Sequence, residues 1–160
     1  KSACFGIGLT MTEETPPKVL QLEICALDRS PMRAEATRLS LFTDMGMITI
    51  LPGHAPLMVN LGIGVLSVWN ADGEQHDFAI SNGLARVLKD HVLVLTETME
   101  MDVEIDIERA VNARDRAEQQ IREAIGGGVD ELRVEVALKR AIARIHAHAR
   151  LQPRSKDSRA

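Results

Sequence analysis

Tyrosine is absent from the 160 residues, and the other aromatics amount to one Trp and three Phe. Surfaces that stack bases on aromatic platforms therefore have little to build on. Cysteine is scarce: Cys4 and Cys25 cannot make a multi-bridge scaffold, and a reducing compartment is the simpler inference. An excess of positive charge is missing as well. The formal net charge of −4 argues against a chain whose main partner is nucleic acid. Short enzyme signatures are also lacking. No Gly-x-Ser-x-Gly, no Walker loop and no His-x-x-x-His occurs, and Gly62-Ile-Gly64 lacks the third glycine of a dinucleotide fingerprint. What is present is an apolar share of 45%, enough to bury the core of one domain, or of one small domain with an appendage.

The beginning of the chain carries no secretory pattern. Lys1 to Thr10 lack an ordered apolar run and a cleavage site. Met11 opens a polar Thr-Glu-Glu-Thr-Pro-Pro segment that reads as a natural start, so residues 1–10 are expected to be a leader or appended remnant and 1–17 to be disordered. Between Asp44 and Asp72 no residue is formally charged, which is long enough to raise a spanning helix. Pro52, Pro56, Gly46, Gly53, Gly62 and Gly64 interrupt that run, and a helix broken so often would expose backbone to lipid. Short strands separated by turns explain it better.

From residue 18 to 103 the pattern is strand-like. Eight runs are expected: Val19–Ala26, Ala34–Phe42, Met45–Leu51, Leu57–Leu61, Val65–Trp69, Asp77–Ile80, Leu84–Leu88 and Val92–Leu95. Turn formers separate them, among them Pro52-Gly53, Asn70-Ala71-Asp72-Gly73, Asn82-Gly83 and Lys89-Asp90. Short strands at such spacing predict a β-sandwich. Charge changes at the same border: residues 1–103 carry 13 acidic and 7 basic side chains, residues 104–150 nine of each.

After residue 103 the period becomes helical. Ala110, Ala113, Ala117, Ile121 and Ala124 share one face, and Gly126-Gly127-Gly128 ends the helix. A second helix follows over 130–149, capped by Asp130, with Val134, Leu138, Ala141, Ile142, Ile145 and Ala149 on one face. The expectation is an antiparallel two-helix hairpin over 104–150 with a thin, Ala-rich seam, then a disordered tail over 151–160. Burying Ala in place of Leu forgoes about 0.8 kcal/mol per missing methylene, so the hairpin is expected to lie loosely on the sandwich or detach.

Isolated side chains carry little chemistry. His146 and His148 stand two apart on a helix and point apart rather than chelating. His76 beside Asp77 reads as a surface pair, and Cys25 as core rather than nucleophile. Leu51-Pro-Gly-His-Ala-Pro-Leu57 is a rigid turn in which His54 either caps backbone groups or offers a contact.

The string Thr43-Asp-Met-Gly-Met-Ile-Thr-Ile-Leu-Pro-Gly-His-Ala-Pro-Leu57 closely resembles the signature of the epsilon subunits of F-type ATP synthases. Gly62-Ile-Gly64, Ala79-Ile-Ser-Asn-Gly-Leu84, Val92-Leu-Val-Leu-Thr-Glu97 and Ile105-Asp-Ile-Glu-Arg-Ala110 continue the match in order, and it extends from Lys18 to about Arg150. Asn82 departs from it, standing where the family often has glycine; the expectation is that Asn tolerates positive φ there. The resemblance implies a β-sandwich N-terminal domain followed by an antiparallel two-helix hairpin. It implies a non-catalytic central-stalk subunit that couples ion flow to ATP synthesis. Its partners would be the gamma subunit, the c-subunit ring and the catalytic alpha/beta head. The place implied is peripheral, on the cytoplasmic side of a bacterial inner membrane, with membrane contact only through the complex. Whether protons or sodium ions are coupled lies in the c ring and not in this chain. The hairpin would restrain ATP hydrolysis.

Some family members bind regulatory ATP between hairpin and sandwich. The residues that do so match Glu100, Asp106, Arg109, Arg116, Arg140 and Arg144. Guanidinium forks suit phosphate oxygens, and Arg140 and Arg144 are four apart on one helix face. A second account of the same residues leaves Asp106 as a helix N-cap and Arg109 as a solvated charge. No cofactor is required by either. The alternative function is a free-standing ATP-sensing binding protein. A chaperone-like clamp needs a larger apolar hairpin face, and a sandwich hydrolase needs a nucleophile–base pair that is missing.

Overall fold

The structure, a computed structural model, describes residues 18–123 and 131–149. The expected leader, Ala124, the triple-glycine break, the Asp130 cap and the tail lie outside the described residues. Among the described residues ten strands come first: β1 (Leu20–Ala26), β2 (Met32–Ala36), β3 (Arg38–Thr43), β4 (Gly46–Ile50) and β5 (Leu57–Leu61) are followed by β6 (Gly64–Trp69), β7 (Gln75–Ile80), β8 (Gly83–Leu88), β9 (His91–Thr96) and β10 (Met99–Met101). A 3-10 turn at Asp102–Glu104 leads into α1 (Ile107–Glu123) and then α2 (Glu131–Ala149).

The strands form one hydrogen-bonded sheet in the order β10-β7-β6-β3-β5-β8-β9-β1-β2, with β4 on the remaining edge of β3. The sheet closes on itself as a sandwich. Layer β10-β7-β6-β3-β4 meets layer β5-β8-β9-β1-β2 through one register pair, Thr43 with Leu61. Strand alternation fills the space between. Leu20, Leu22 and Ile24 of β1, Leu39 and Leu41 of β3, Leu66 and Val68 of β6, and Val92 and Val94 of β9 belong to one buried cluster. All pairings are antiparallel except β1 with β9.

The expected run over 34–42 is split. Thr37 bends the chain so that β2 stays in one layer and β3 enters the other. Its amide donates to the Trp69 carbonyl at 2.8 Å, and its hydroxyl donates to the Asn70 carbonyl at 3.1 Å. β10 is a further strand that the reading of eight runs did not contain. The Asn70–Gly73 turn forms as read: the Asn70 side chain accepts from the Glu74 amide at 2.9 Å, and Gly73 has φ +82°. Asn82 behaves differently from expectation. Among the described non-glycine residues the positive φ belongs to Lys89, at 55° between β8 and β9, so the 82–83 turn needs no left-handed residue at Asn82. The neighbouring Gly83 is required for space, because a Cβ there would overlap the Leu95 carbonyl oxygen.

The helices follow their predicted period in part: Ile121 and Ala149, expected on the apolar faces, are exposed at the helix ends. α1 buries Ala110 and Ala117, and α2 buries Val134 and Ala141, which the one-face reading anticipates. α2 also buries Ala143 and Ala147, which that reading left on the solvent side. These two alanines pack with Val65, Ala79 and Ile105 against the outer face of β6 and β7. α2 is therefore covered on two sides. The same contact explains why β6 and β7 are buried on both faces, with Val65, Leu66, Ser67 and Val68 all inaccessible.

Gly83→Ala is expected to destabilise the fold by about 2 kcal/mol or more, as overpacking against fixed backbone does. Urea unfolding checks this, with Gly73→Ala in the open turn as the milder comparison.

Candidate functional site

Strand pleating sets the first group. In β10, Met99 and Met101 turn toward the core while Glu100, in register with Ala79, faces outward to α2. The 3-10 turn then reverses the chain. Its buried Asp102 accepts from the Val103 amide at 2.8 Å. Glu104 accepts from the Met101 amide at 3.1 Å and from Arg29 of the β1–β2 loop at 3.0 Å. The Met101 amide, and next the Arg29 guanidinium, hold the Glu104 carboxyl below the ordinary glutamate value of 4.5.

Asp106 caps α1. Its Oδ1 accepts from the Arg109 amide at 3.0 Å, satisfying one of the helix's orphan N–H groups. Arg109 and Arg116 stand seven apart, two helical turns, and line the same space as Ala110 and Ala113. A cavity of about 370 Å³ is bounded by Glu100, Glu104, Asp106, Arg109, Ala110, Ala113, Arg116 and Arg144. That volume suits a small ligand rather than a macromolecule.

Five of the six residues singled out in the sequence thus meet around one cavity: Glu100, Asp106, Arg109, Arg116 and Arg144. Arg140 does not line it. Its Nη2 lies 2.9 Å from Glu97, and its Nε is buried without a hydrogen-bond partner. Arg144 lines the cavity with its fork occupied, since its Nε donates to both Glu100 oxygens at 3.0 and 2.9 Å. That hydrogen bonding pushes the guanidinium's pKa up. Arg116 donates from Nε to the Asn112 carbonyl at 3.1 Å and keeps its terminal nitrogens toward solvent. Arg109 makes no side-chain hydrogen bond or ion pair among the described residues, so it is the cation most open to an incoming anion. Asp106 is thus the N-cap of α1 and also lines the cavity.

Glu97, Glu104 and Arg29 were not anticipated. The period-two pattern Met99-Glu100-Met101 was a signal for β10. The Glu97–Glu100 spacing opposite Arg140–Arg144 becomes meaningful only when β10 and α2 are brought together. No group of three or more metal-ligating side chains occurs among the described residues.

A second surface is apolar. Met45 is 97% exposed, and Met47, Leu51, Met58, Leu88 and Leu95 also present large apolar area. Met58, Leu88 and Leu95 are outward positions of β5, β8 and β9, forced out by alternation with the buried Leu61, Val87 and Val94. His54 completes the adjoining turn, its Nδ1 2.7 Å from the Ala55 carbonyl and its amide donating to Leu51 at 3.0 Å.

Residues 19–102 match the family described as ATP synthase, Delta/Epsilon chain, beta-sandwich domain, and residues 104–149 match its long alpha-helix domain. An ATP synthase epsilon chain of Moorella thermoacetica is 38% identical over 128 residues, covering 80% of this chain and 95% of that one. The one from Bacillus licheniformis is 37% identical, covering 80% and 96%. Among solved structures, a chain of the Euglena gracilis mitochondrial ATP synthase (OSCP/F1/c-ring) superposes with TM-score 0.70 at 22% identity, covering 88% of this chain and 87% of that one. A chain of the Tetrahymena thermophila mitochondrial ATP synthase central stalk and c-ring superposes at TM-score 0.51 and 15% identity, covering 87% and 100%. At those identities the likeness is one of fold.

The lowered Glu104 carboxyl predicts an acid-side effect. A carboxyl whose folded pKa lies below its unfolded one stabilises above the unfolded value and loses that contribution as pH falls through the folded value. Thermal melts of Glu104→Gln and the parent should therefore differ at neutral pH and converge as pH drops below 4.5.

Proposed function

This chain belongs to the epsilon-subunit family of F-type ATP synthases, and on that premise we propose that it is a non-catalytic central-stalk subunit of such an enzyme. Its sandwich joins the gamma subunit and the c-subunit ring, and its hairpin restrains ATP hydrolysis in the alpha/beta head. The observation that carries this reading is the exposed apolar surface of Met45, Met47, Leu51, Met58, Leu88 and Leu95 on an otherwise close-packed sandwich. Exposed apolar side chains of that size are what a permanent protein partner covers. A close-packed body also suits transmission of torque without yielding. Among the described residues no helix is long and apolar enough to cross a membrane. The proposed place is accordingly peripheral, on the cytoplasmic side of a bacterial inner membrane, held there through the complex.

The assembly reading is tested by size-exclusion chromatography with a gamma-containing catalytic head that lacks its own epsilon subunit. Stoichiometric co-elution is expected, and Met58→Asp with Leu95→Asp should abolish it. Failure to bind a competent head would leave a free-standing ATP-sensing protein as the surviving reading. Truncation after Ile105 should preserve binding and relieve hydrolysis, since the docking face lies wholly within the sandwich.

The cavity between hairpin and sandwich is the proposed site of regulatory ATP. Support comes from three guanidinium groups, Arg109, Arg116 and Arg144, around a volume of about 370 Å³. Arg109 offers its donors outright, and Arg144 would share its fork between phosphate and Glu100. Calorimetric titration of ATP should show Arg109→Ala weakening binding roughly ten-fold or more, the scale of one lost charge-assisted pair. Arg140→Ala should weaken it less, because Arg140 is turned to Glu97. Equal, unchanged titrations of both variants would remove the site.

A further inference from the structure

α2 touches the sandwich apolarly through small side chains. Ala143 and Ala147 meet Val65, Ala79 and Ile105, with Ile63 alongside, so the buried cluster takes only methyl groups from the helix. Such a seam excludes water but gives little attraction per contact. Beside it run two charge pairs. Arg140 reaches Glu97 at 2.9 Å, and Arg144 forms a forked pair with Glu100 at 2.9 and 3.0 Å. The arginines are four apart on one face of α2. The glutamates are three apart where the chain passes from β9 to β10, so the pairs stack along the seam in matching order. A third contact, His148 Nδ1 to the Asp102 carbonyl, is long at 3.4 Å.

We infer that Glu97–Arg140 and Glu100–Arg144 form an electrostatic latch that decides whether the hairpin lies on the sandwich, and that ionic strength sets its hold. The latch works without nucleotide and goes beyond the assembly and ATP readings. Isolated surface pairs contribute little, but these two are aligned, one is bidentate, and the competing apolar seam is thin. With Arg144 half buried against the seam, its pair with Glu100 is screened less than a solvated one. Loss of either carboxylate leaves an arginine at the seam without its counter-charge.

The test uses the full chain with spin labels at Leu132→Cys and Asp72→Cys, both exposed, in a Cys4→Ser, Cys25→Ala background. Double electron–electron resonance should give one distance at low salt. Raising NaCl to molar concentration should add a second population, with the undocked-to-docked ratio rising roughly ten-fold, as two pairs of this kind allow. Glu97→Gln with Glu100→Gln should show that ratio already at low salt and respond no further. The exchanged pair Glu100→Arg with Arg144→Glu should restore the single distance. Glu135→Gln removes an α2 pair that does not cross the seam, with Lys139 at 2.8 Å, and should change nothing. A single distance in the double glutamine variant at all salt concentrations would overturn the latch. Failure of the exchanged pair to restore docking, or release by Glu135→Gln, would overturn it equally.

Discussion

The packing of Ala143 and Ala147 onto the outer face of β6 and β7 is the contact on which the placing of the hairpin, its ion pairs and the cavity depends. Only small side chains let a helix approach a sheet this closely, and the approach fixes the height of α2 above Ala79. Glu100 sits in register with Ala79, so the same contact brings Arg144 within bidentate reach of it. α1 follows because it packs along α2, and the cavity is the space left between α1, α2 and the 3-10 turn. A bulky residue at either alanine would lift all of these together.

The sandwich is built so that one layer is covered and the other is bare. The β6–β7 side carries the hairpin, and there residues 65–68 and 77–80 are buried on both faces. The β5–β8–β9 side alternates, sending Val87 and Val94 inward and Leu88 and Leu95 to solvent. Leucine and methionine at outward positions cost solubility unless a partner covers them, and Met45 is almost wholly exposed at the adjoining turn. Met58, Leu88 and Leu95 thus lie on the layer opposite the hairpin. A docking partner can hold the sandwich while the hairpin moves, which is what a restraining element on a permanently attached subunit requires.

Charge around the cavity is finely apportioned. Three arginines meet three carboxylates there, yet each carboxylate has a local duty: Glu104 closes the 3-10 turn, Asp106 caps α1 and Glu100 holds Arg144. That leaves Arg109 and Arg116 without a carboxylate partner among the described residues, Arg116 being held only to the Asn112 carbonyl. On the proposed reading, an anion would find its fullest ring of donors while the hairpin is down. Docking and anion binding would then draw on the same guanidinium of Arg144 and be coupled through one side chain.

The sequence by itself determined the kinds of element and their succession, because alternation, helical period and turn chemistry are local. Leu20-Leu22-Ile24 had to be a half-buried strand, Asn70-Ala-Asp-Gly a turn, and Asp106 an N-cap, whatever surrounded them. The local signals blurred where two layers share a chain: the bend at Thr37 follows from a bond to the Trp69 carbonyl, 32 residues away. Asn82 was misjudged because the backbone there answers to the crowding of Gly83 against Leu95 and not to a left-handed turn. The candidate site was named through the resemblance to the epsilon family, and five of its six residues are brought to one cavity. Which arginine faced it was not legible. Arg140 and Arg144 stand four apart on one helix face, and only the landing of α2 on β7 gave one to Glu97 and the other to Glu100, across separations of 43 and 44 residues. Pairing at that range is set by the packing of whole elements, which no local pattern encodes.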